Sequence, residues 1–447
     1  MATVGAIVPS YDRAAMLCEC IESLLMQTRS LDEIVVVDDG SSDGTAEIVS
    51  AWFGSRVRTI STRNRGKSAA LNLGLEQLRT DFIWICDDDD IAAPHACETL
   101  AGALERAPDN VGFTYGHYRI FSRERNGVTL RPPSFWADPD EKDIHINVLE
   151  DLHVFQFATM FRRSALDRAG RFREDLLRSQ DLDMMIRITS VLDGIYVPET
   201  IFFQRDHAGA RGPALDRVAR EEAFKRWLHY DCLFYGDLAL AGKELVPSFA
   251  RTAPTALRAR AADLQRAVVF GRRGMWSVAL DALDRAASAA PQELASSAEL
   301  RLAGRLIRHG LPSAALPSRR DLARFRELRR RSVWATAVCE AVAIAMVRRL
   351  RCALRDRRHA DASRDASFLL AISDLRWLVS RIKRRGTARG ATFDNVSPIV
   401  RAGVSPAEIA TFTRLLATIA ASGKARQINA VRIGSASSAD GLLLRSA

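Results

Sequence analysis

The chain has 447 residues, 47% hydrophobic and 26% charged, a balance that supports a substantial core and excludes wholesale disorder. Its formal charge of +10, from 64 basic and 54 acidic residues, suits phosphates, anionic lipid or nucleic acid and selects none of them. A prior of roughly 150 residues per domain predicts two to three domains.

The first half alternates short branched apolar runs with amphipathic helical patterns, as expected when parallel strands carry helices on both faces. VGAIVP opens as a strand, and Leu17, Ile21, Leu24 and Leu25 then share a helical stripe. EIVVVDDGSSDGT reads as a strand ending in acids, glycine and helix-starting polar groups. RVRTIS and SAALNLGLEQL repeat the strand-helix unit, and DFIWIC runs into four consecutive acids. IAAPHACETLAGALERA follows as turn and helix, and VGFTYG as a further strand. Residues 121–154 lose periodicity and read as a long insertion, a candidate active-site loop. QFATMF is a strand, QDLDMMIRITSVL a helix, and GIYVPETIFFQRDH one or two strands or a tight meander. The doubly wound core is expected to end near Gly209 to Pro213.

Beyond that boundary helical patterns dominate, including Leu264 to Ala287 and Leu294 to His309. Arg319 to Arg358 holds 13 Arg against 4 acids, so its net +9 leaves about +1 for the rest of the chain. Ser332 to Val347 is apolar but has only 16 residues, short of the roughly 20 that cross a bilayer, and reads as a packed or interfacial helix. Ala366 to Ile382 reads the same way. The expected division is 1–212 for the α/β core, 213–390 for a helical accessory domain and 391–447 for a C-terminal extension. Seven cysteines without paired CxxC motifs, several in apolar segments, read as free thiols of a reducing compartment. The first residues lack a charged leader or cleavage pattern, so the expected location is cytoplasmic, with peripheral attachment to an inner membrane face open.

The four acids of CDDDD repel one another unless water, protonation or a cation offsets them. Alternation along a strand sends Asp87 and Asp89 to one face, where hard Mg²⁺ or Mn²⁺ would accept their oxygens, while Asp88 and Asp90 make supporting contacts. A solvated strand end or helix cap is the structural alternative. Asp39, at another strand terminus, is placed to accept from a base or sugar; Asp43 suits a helix cap or ligand contact. Tyr11 of PSYDR offers a stacking surface or an ordinary turn. In NRGKSAALN, Asn64, Arg65, Gly66, Lys67 and Asn72 combine close backbone approach with positive charge for phosphate. The GKS triplet is no P-loop, since Ser61 stands where the leading glycine belongs, and GxGxxG is absent.

Together PSYDR, VDDGSSDGT, NRGKSAALN, CDDDD, QDLDMMIR and QRDH, in this order over residues 3 to 208, resemble the family 2 glycosyltransferases with the GT-A fold. The resemblance implies a metal-dependent, inverting transferase that moves a sugar from a nucleotide-sugar donor, UDP-linked by expectation, to a saccharide, lipid-linked glycan or other hydroxyl acceptor in glycan synthesis. It places Tyr11, Asp39, Asn64, Lys67, Asp87, Asp88 and Arg205 at the donor, Asp89 on the metal, with Asp87 and His207 as further metal candidates. Asp181 becomes the catalytic base. The family often has Glu-Asp where this chain has Gln180-Asp181, which removes a neighbouring charge. Asp183 and Arg187 are expected to pair, and Phe155 and Phe157 to line an acceptor wall or pack in the core. The other readings are a weakly catalytic nucleotide-sugar binding protein and, from the Arg-rich window, a protein of the anionic membrane surface; no specific nucleic acid is predicted.

Overall fold

The computed structural model describes residues 1–124, 127–133, 141–206, 220–241, 244–308, 311–312, 315–374 and 403–421. These residues fall into two compact units. The first comprises, among described residues, 1–133, 152–206 and 403–421; the second comprises 141–151 and 221–374. A linear division at 212 and 390 differs from this one, because 141–151 groups with the helices and 403–421 with the sheet.

The first unit is a mixed sheet flanked by helices. In chain order it runs β1 (Val4–Ser10), α1 (Ala14–Leu25), β2 (Glu33–Asp38), α2 (Thr45–Phe53), β3 (Arg58–Ser61), α3 (Lys67–Gln77), β4 (Phe82–Ile85), β5 (Ile91–Ala92), α4 (Ala96–Glu105), β6 (Val111–Glu124) and β7 (Gly127–Arg131). The second unit contributes α5 (Ile144–Glu150) before the sheet resumes with β8 (Thr159–Arg162), α6 (Arg163–Ala169), α7 (Gln180–Thr189) and β9 (Asp193–Arg205). The strand order is β3-β2-β1-β4-β8-β6-β9-β5, with β7 paired to β6. β1 runs parallel to β2 and β4, and β2 to β3, whereas β8 is antiparallel to β4 and β6. β1 and β4 are buried throughout, which is why they read as unbroken apolar runs with no alternation. The C-terminal ends of β1, β2 and β4 therefore meet at one edge.

One expectation is corrected. Among the described residues, 121–154 are not irregular throughout: β6 continues to Glu124 and pairs antiparallel with β7, and α5 follows later in the chain. Residues 193–205 form one strand, one of the alternatives the sequence left open. Its pairing with β6 slips between Tyr115↔Tyr196 and His117↔Thr200, so Pro198 sits in a bulge that needs no ladder hydrogen bond from it. The expected boundary at 209–213 lies outside the described residues.

The second unit adds α8 (Arg220–Leu240), α9 (Thr255–Gly271), α10 (Trp276–Ala289), α11 (Ser297–Ala303), α12 (Arg319–Arg329), α13 (Val333–Arg355) and α14 (His359–Ile372). Glu150 and Asp151, at the end of α5, are buried and bind this unit from within. Gln265 donates to Glu150 at 2.7 Å, Arg305 pairs with it, and Arg272 and Arg308 reach Asp151 at 3.1 and 2.6 Å. This buried ion network explains why 141–151 belongs with the helices. The apolar window from Ser332 extends to a 23-residue helix whose buried face carries Trp334, Val338, Val342 and Met346. It is a packed helix, and among described residues no helix is long and apolar enough to cross a membrane. Residues 375–382 of the second apolar window are outside the described set. A last helix, α15 (Pro406–Ala421), belongs to the first unit: Phe412 stacks on Phe203 at 4.0 Å and meets Phe121 edge-on at 4.9 Å. All seven cysteines are free thiols.

Candidate active site

The loops after β1 and β2 are locked together. Asp12 accepts from the Ser42 amide at 2.7 Å, and the Asp12 amide donates to Ser41 Oγ at 2.9 Å. Asp43 accepts from the Ala14 amide at 3.1 Å, so it serves the start of α1 and not only its own helix. Gly40 has φ +79°, and a Cβ there would stand 2.7 Å from the Asn64 amide nitrogen. That close approach brings the NRGK segment against the end of β2, where Asp39 accepts from the Arg65 and Gly66 amides at 2.8 Å each. Burial raises the Asp39 pKa, with those two amides opposing the shift. Asn64 and Arg65 are exposed on this loop, and Tyr11 is half-buried in the turn before Asp12.

β4 ends at Ile85 and the four acids follow it in a turn closed by the Asp90 amide on the Asp87 carbonyl at 3.3 Å, with Asp88 and Asp90 buried and Asp87 and Asp89 half-buried. Asp88 accepts from Ser10 Oγ at 2.7 Å and from Arg13 at 2.9 Å, and Arg13 also reaches Asp89 at 2.9 Å. Burial lifts the Asp88 pKa to about 6 against the pull of Arg13, with Asp89 adding to the rise. Asp90 is also raised, by burial and its acidic neighbours, and accepts from the Arg205 amide at 2.8 Å. The Arg205 guanidinium turns inward. It donates to the Asp89 carbonyl at 2.7 Å and to Glu19 at 2.6 Å, and lies 4.7 Å over the Phe121 ring. In this arrangement Arg205 braces the acidic segment, a geometry that differs from an open phosphate contact. Lys67, the first residue of α3, pairs with Asp87.

Asp181 enters from the first turn of α7. The segment leading to that helix is held by Asn72, whose side-chain amide accepts from the Phe172 backbone at 2.8 Å and donates to the Phe172 carbonyl at 3.0 Å and to Glu174 at 3.1 Å. Asp183 and Arg187 pair at 2.7 Å along α7. Ser179, just before the helix, takes φ +59°, a strained conformation of the kind held at functional sites. Burial raises the Asp181 pKa, Lys67 opposes the rise and Asp87 adds to it. Burial opposes the charge of Lys67, yet Asp87, Asp181 and Asp89 outweigh it and hold Lys67 protonated. Asp87, Asp89, Lys67 and Asp181 thus share one electrostatic field.

Among described residues no three His, Cys, Asp or Glu side chains converge into a self-sufficient metal cage, and His207 lies outside the described set. The donor set that is present, half-buried Asp87 and Asp89 at a strand edge, fits a hard cation that takes one or two carboxylates and completes its shell with phosphate and water. Phe157 is fully buried against Trp84 and Phe202, so it belongs to the core and not to an acceptor wall; Phe155 is half-buried against Tyr118. Sequence reasoning missed Glu19 and gave Arg13 only a neighbour's part. The missed signal is Arg13's place three residues after β1, level with the acidic end of the adjacent strand.

The mixed sheet, with its acidic strand edge and the facing helix α7, defines the first unit as a GT-A domain. Residues 6–170 match the model of glycosyl transferase family 2. An uncharacterized glycosyltransferase of Rickettsia felis is 26% identical over 225 residues, 50% of this chain and 37% of that protein. Glycosyltransferase GlyG of Streptococcus pneumoniae is 39% identical over 119 residues, 26% of this chain and 40% of that protein. The match therefore spans well under half the length of these relatives. Among solved structures, a mannosyltransferase of Pyrobaculum calidifontis in complex with GDP-Man and Mn²⁺ aligns over 83% of this chain and 86% of its own, at 20% identity and a TM-score of 0.46.

Proposed function

We propose that the N-terminal domain transfers a sugar from a nucleotide-sugar donor to a hydroxyl acceptor with inversion at the anomeric carbon. The observation that carries this reading is the shared field of Asp181, Lys67 and Asp87, which sets a desolvated carboxylate opposite the acidic strand edge. Asp181 takes the proton of the acceptor hydroxyl as its oxygen attacks the anomeric carbon. The bond to the diphosphate breaks on the opposite face, and one displacement inverts the configuration. Tyr11, Asp39 and Asn64 take the nucleoside end, Lys67 and Asp87 the diphosphate. Asp88 and Arg205 act by holding the acidic segment in place. Asp89, with Asp87, would hold Mn²⁺ or Mg²⁺, which when bound offsets the charge on the diphosphate leaving group. The donor is proposed to be UDP-linked, and the acceptor a saccharide, lipid-linked glycan or other hydroxyl compound of glycan or polysaccharide synthesis.

The test is a screen of UDP and GDP sugars with a broad acceptor panel, in Mg²⁺ and in Mn²⁺. Acceptor-dependent product supports transfer; binding without product supports the weakly catalytic alternative; folded protein that neither binds nor turns over any donor contradicts both.

A second reading concerns the helical unit and rests on its surface. Arg319, Arg320, Arg326, Arg330 and Arg351 are exposed there, as are Val333 and Leu354, a composition suited to peripheral attachment at an anionic inner membrane face. Part of the positive charge is consumed internally, since Arg324 pairs with Asp281 and Asp284, and Arg349 with Asp365. Flotation with anionic vesicles, absent with neutral ones and screened by salt, is the expected result; equal behaviour with both vesicles contradicts it.

A further inference from the structure

Gln156 opens the short turn Gln156–Ala158 ahead of β8 and is 4% exposed. Its Oε1 and Nε2 are both buried, and neither has a hydrogen-bond partner. A primary amide can make up to four hydrogen bonds, and a native interior that leaves all of them unmade calls for an explanation. The side chain is not loosely placed. Its neighbours Phe155 and Phe157 are pinned by Tyr118 and by Trp84 and Phe202, and Trp84 Nε1 donates to the Phe157 carbonyl at 2.8 Å.

The register says where this amide stands. β8 runs antiparallel to β4 with Phe82↔Arg162, Ile83↔Phe161 and Trp84↔Met160. Gln156 lies in the turn that leads into β8, and the acidic segment follows the end of β4, so the two turns leave adjacent antiparallel strands at the same edge of the sheet. The strands β2, β1, β4 and β8 are neighbours in that order, so Asp39, the acidic segment and Gln156 follow one another along the same edge of the sheet. A nucleotide sugar is laid out in the same order: base and ribose, diphosphate, sugar ring. Phosphate recognition calls for cationic groups, which Lys67 and Arg13 supply beside the acids. A neutral amide that both donates and accepts suits adjacent sugar hydroxyls instead.

We propose that Gln156 is a specificity-determining residue of the donor site, whose side-chain amide hydrogen-bonds hydroxyl groups of the transferred sugar. The assignment rests on the nucleotide-sugar reading above and adds the group that reads the sugar. Removing the amide should cost the sugar's contribution and leave that of the nucleotide.

The experiment uses the full chain and the variants Gln156→Met, which fills the space without polar atoms, and Gln156→Asn, which keeps a shortened amide. Calorimetry with bare UDP or GDP, and with their C2 and C4 epimeric hexose conjugates, separates nucleotide from sugar binding. Gln156→Met is expected to bind the bare nucleotide like wild type. It should lose the added affinity of the preferred sugar, and its epimer discrimination in kcat/KM should fall on the order of ten- to a hundredfold, with Gln156→Asn between the two. If wild type discriminates among sugars and both folded variants do so equally, the assignment is overturned and the transferase reading stands. A sealed water on Gln156 in the sugar-bound complex would also overturn it. If Gln156→Met fails to fold, the sugar-binding loss in Gln156→Asn decides alone. Wild-type protein that binds no nucleotide and no conjugate would overturn the transferase reading, and this assignment with it.

Discussion

Four acids in a row and one acid on a helix carry the same functional group, and their surroundings make them different. Asp88 is drawn inward by Ser10 and Arg13, and burial lifts it to about 6, whereas Asp87 and Asp89 stay half-buried at the strand edge. Asp181 is raised by burial, with Lys67 acting to keep it ionised. Gln180 is the adjustable neighbour: it is buried, and as an amide it adds no charge beside Asp181. Replacing it by a carboxylate, Gln180→Glu, places like charge next to a group already raised. The carboxylate of Asp181 then stays protonated to higher pH, so the acidic limb of the kcat profile should move upward by roughly one unit. A pH–rate profile reads this, and an unchanged or downward limb would remove Asp181 from the role of base.

Among the elements, those that position the site are legible in the sequence because each is a short apolar run that stops at acids or glycine. β1, β2, β4 and α7 stand where periodicity puts them, whereas the split of Asp87 and Asp89 from Asp88 and Asp90 arises in the turn after β4, which strand alternation does not describe. The length of β6 was hidden because Arg119 and Arg123 interrupt its apolar pattern, and their partners are remote: Arg123 pairs with Glu19, and Arg119 with Glu408, 289 residues away. The bulge that admits Pro198 to β9 is likewise set by the neighbouring strand and not by local composition. Asn72 was visible only as part of a motif, and its three hydrogen bonds to residues 172 and 174 show what it does. Asn72→Ala should lower stability by about 2–3 kcal/mol in urea unfolding, because a buried backbone donor and acceptor are left unpaired. It should also reduce kcat more than nucleotide affinity, because the clamp holds the segment leading to α7, which carries Asp181, and not the loops proposed to take the nucleotide. Equal losses in both would argue against that division.

At the scale of the whole chain, sequence order and compactness disagree. Residues 141–151 join the helical unit through the ions around Glu150 and Asp151, and 403–421 join the sheet through Phe412. Neither link has a local signature, since each joins segments more than a hundred residues apart. Phe412 is fully buried, so Phe412→Ala should destabilise the first unit by about 3–5 kcal/mol, seen as an earlier unfolding transition. An unchanged transition would mean that α15 does not help hold the sheet.

The central claim is that Asp87 and Asp181 face one pocket, one holding the donor and the other moving the proton. The most direct measurement pairs donor binding with single-turnover transfer in wild type, Asp87→Asn and Asp181→Asn. Asp181→Asn should bind nucleotide sugar like wild type and transfer it about 10²- to 10⁴-fold more slowly, while Asp87→Asn should lose binding and transfer together. Near wild-type transfer by Asp181→Asn, or undiminished donor binding by Asp87→Asn, would contradict the account.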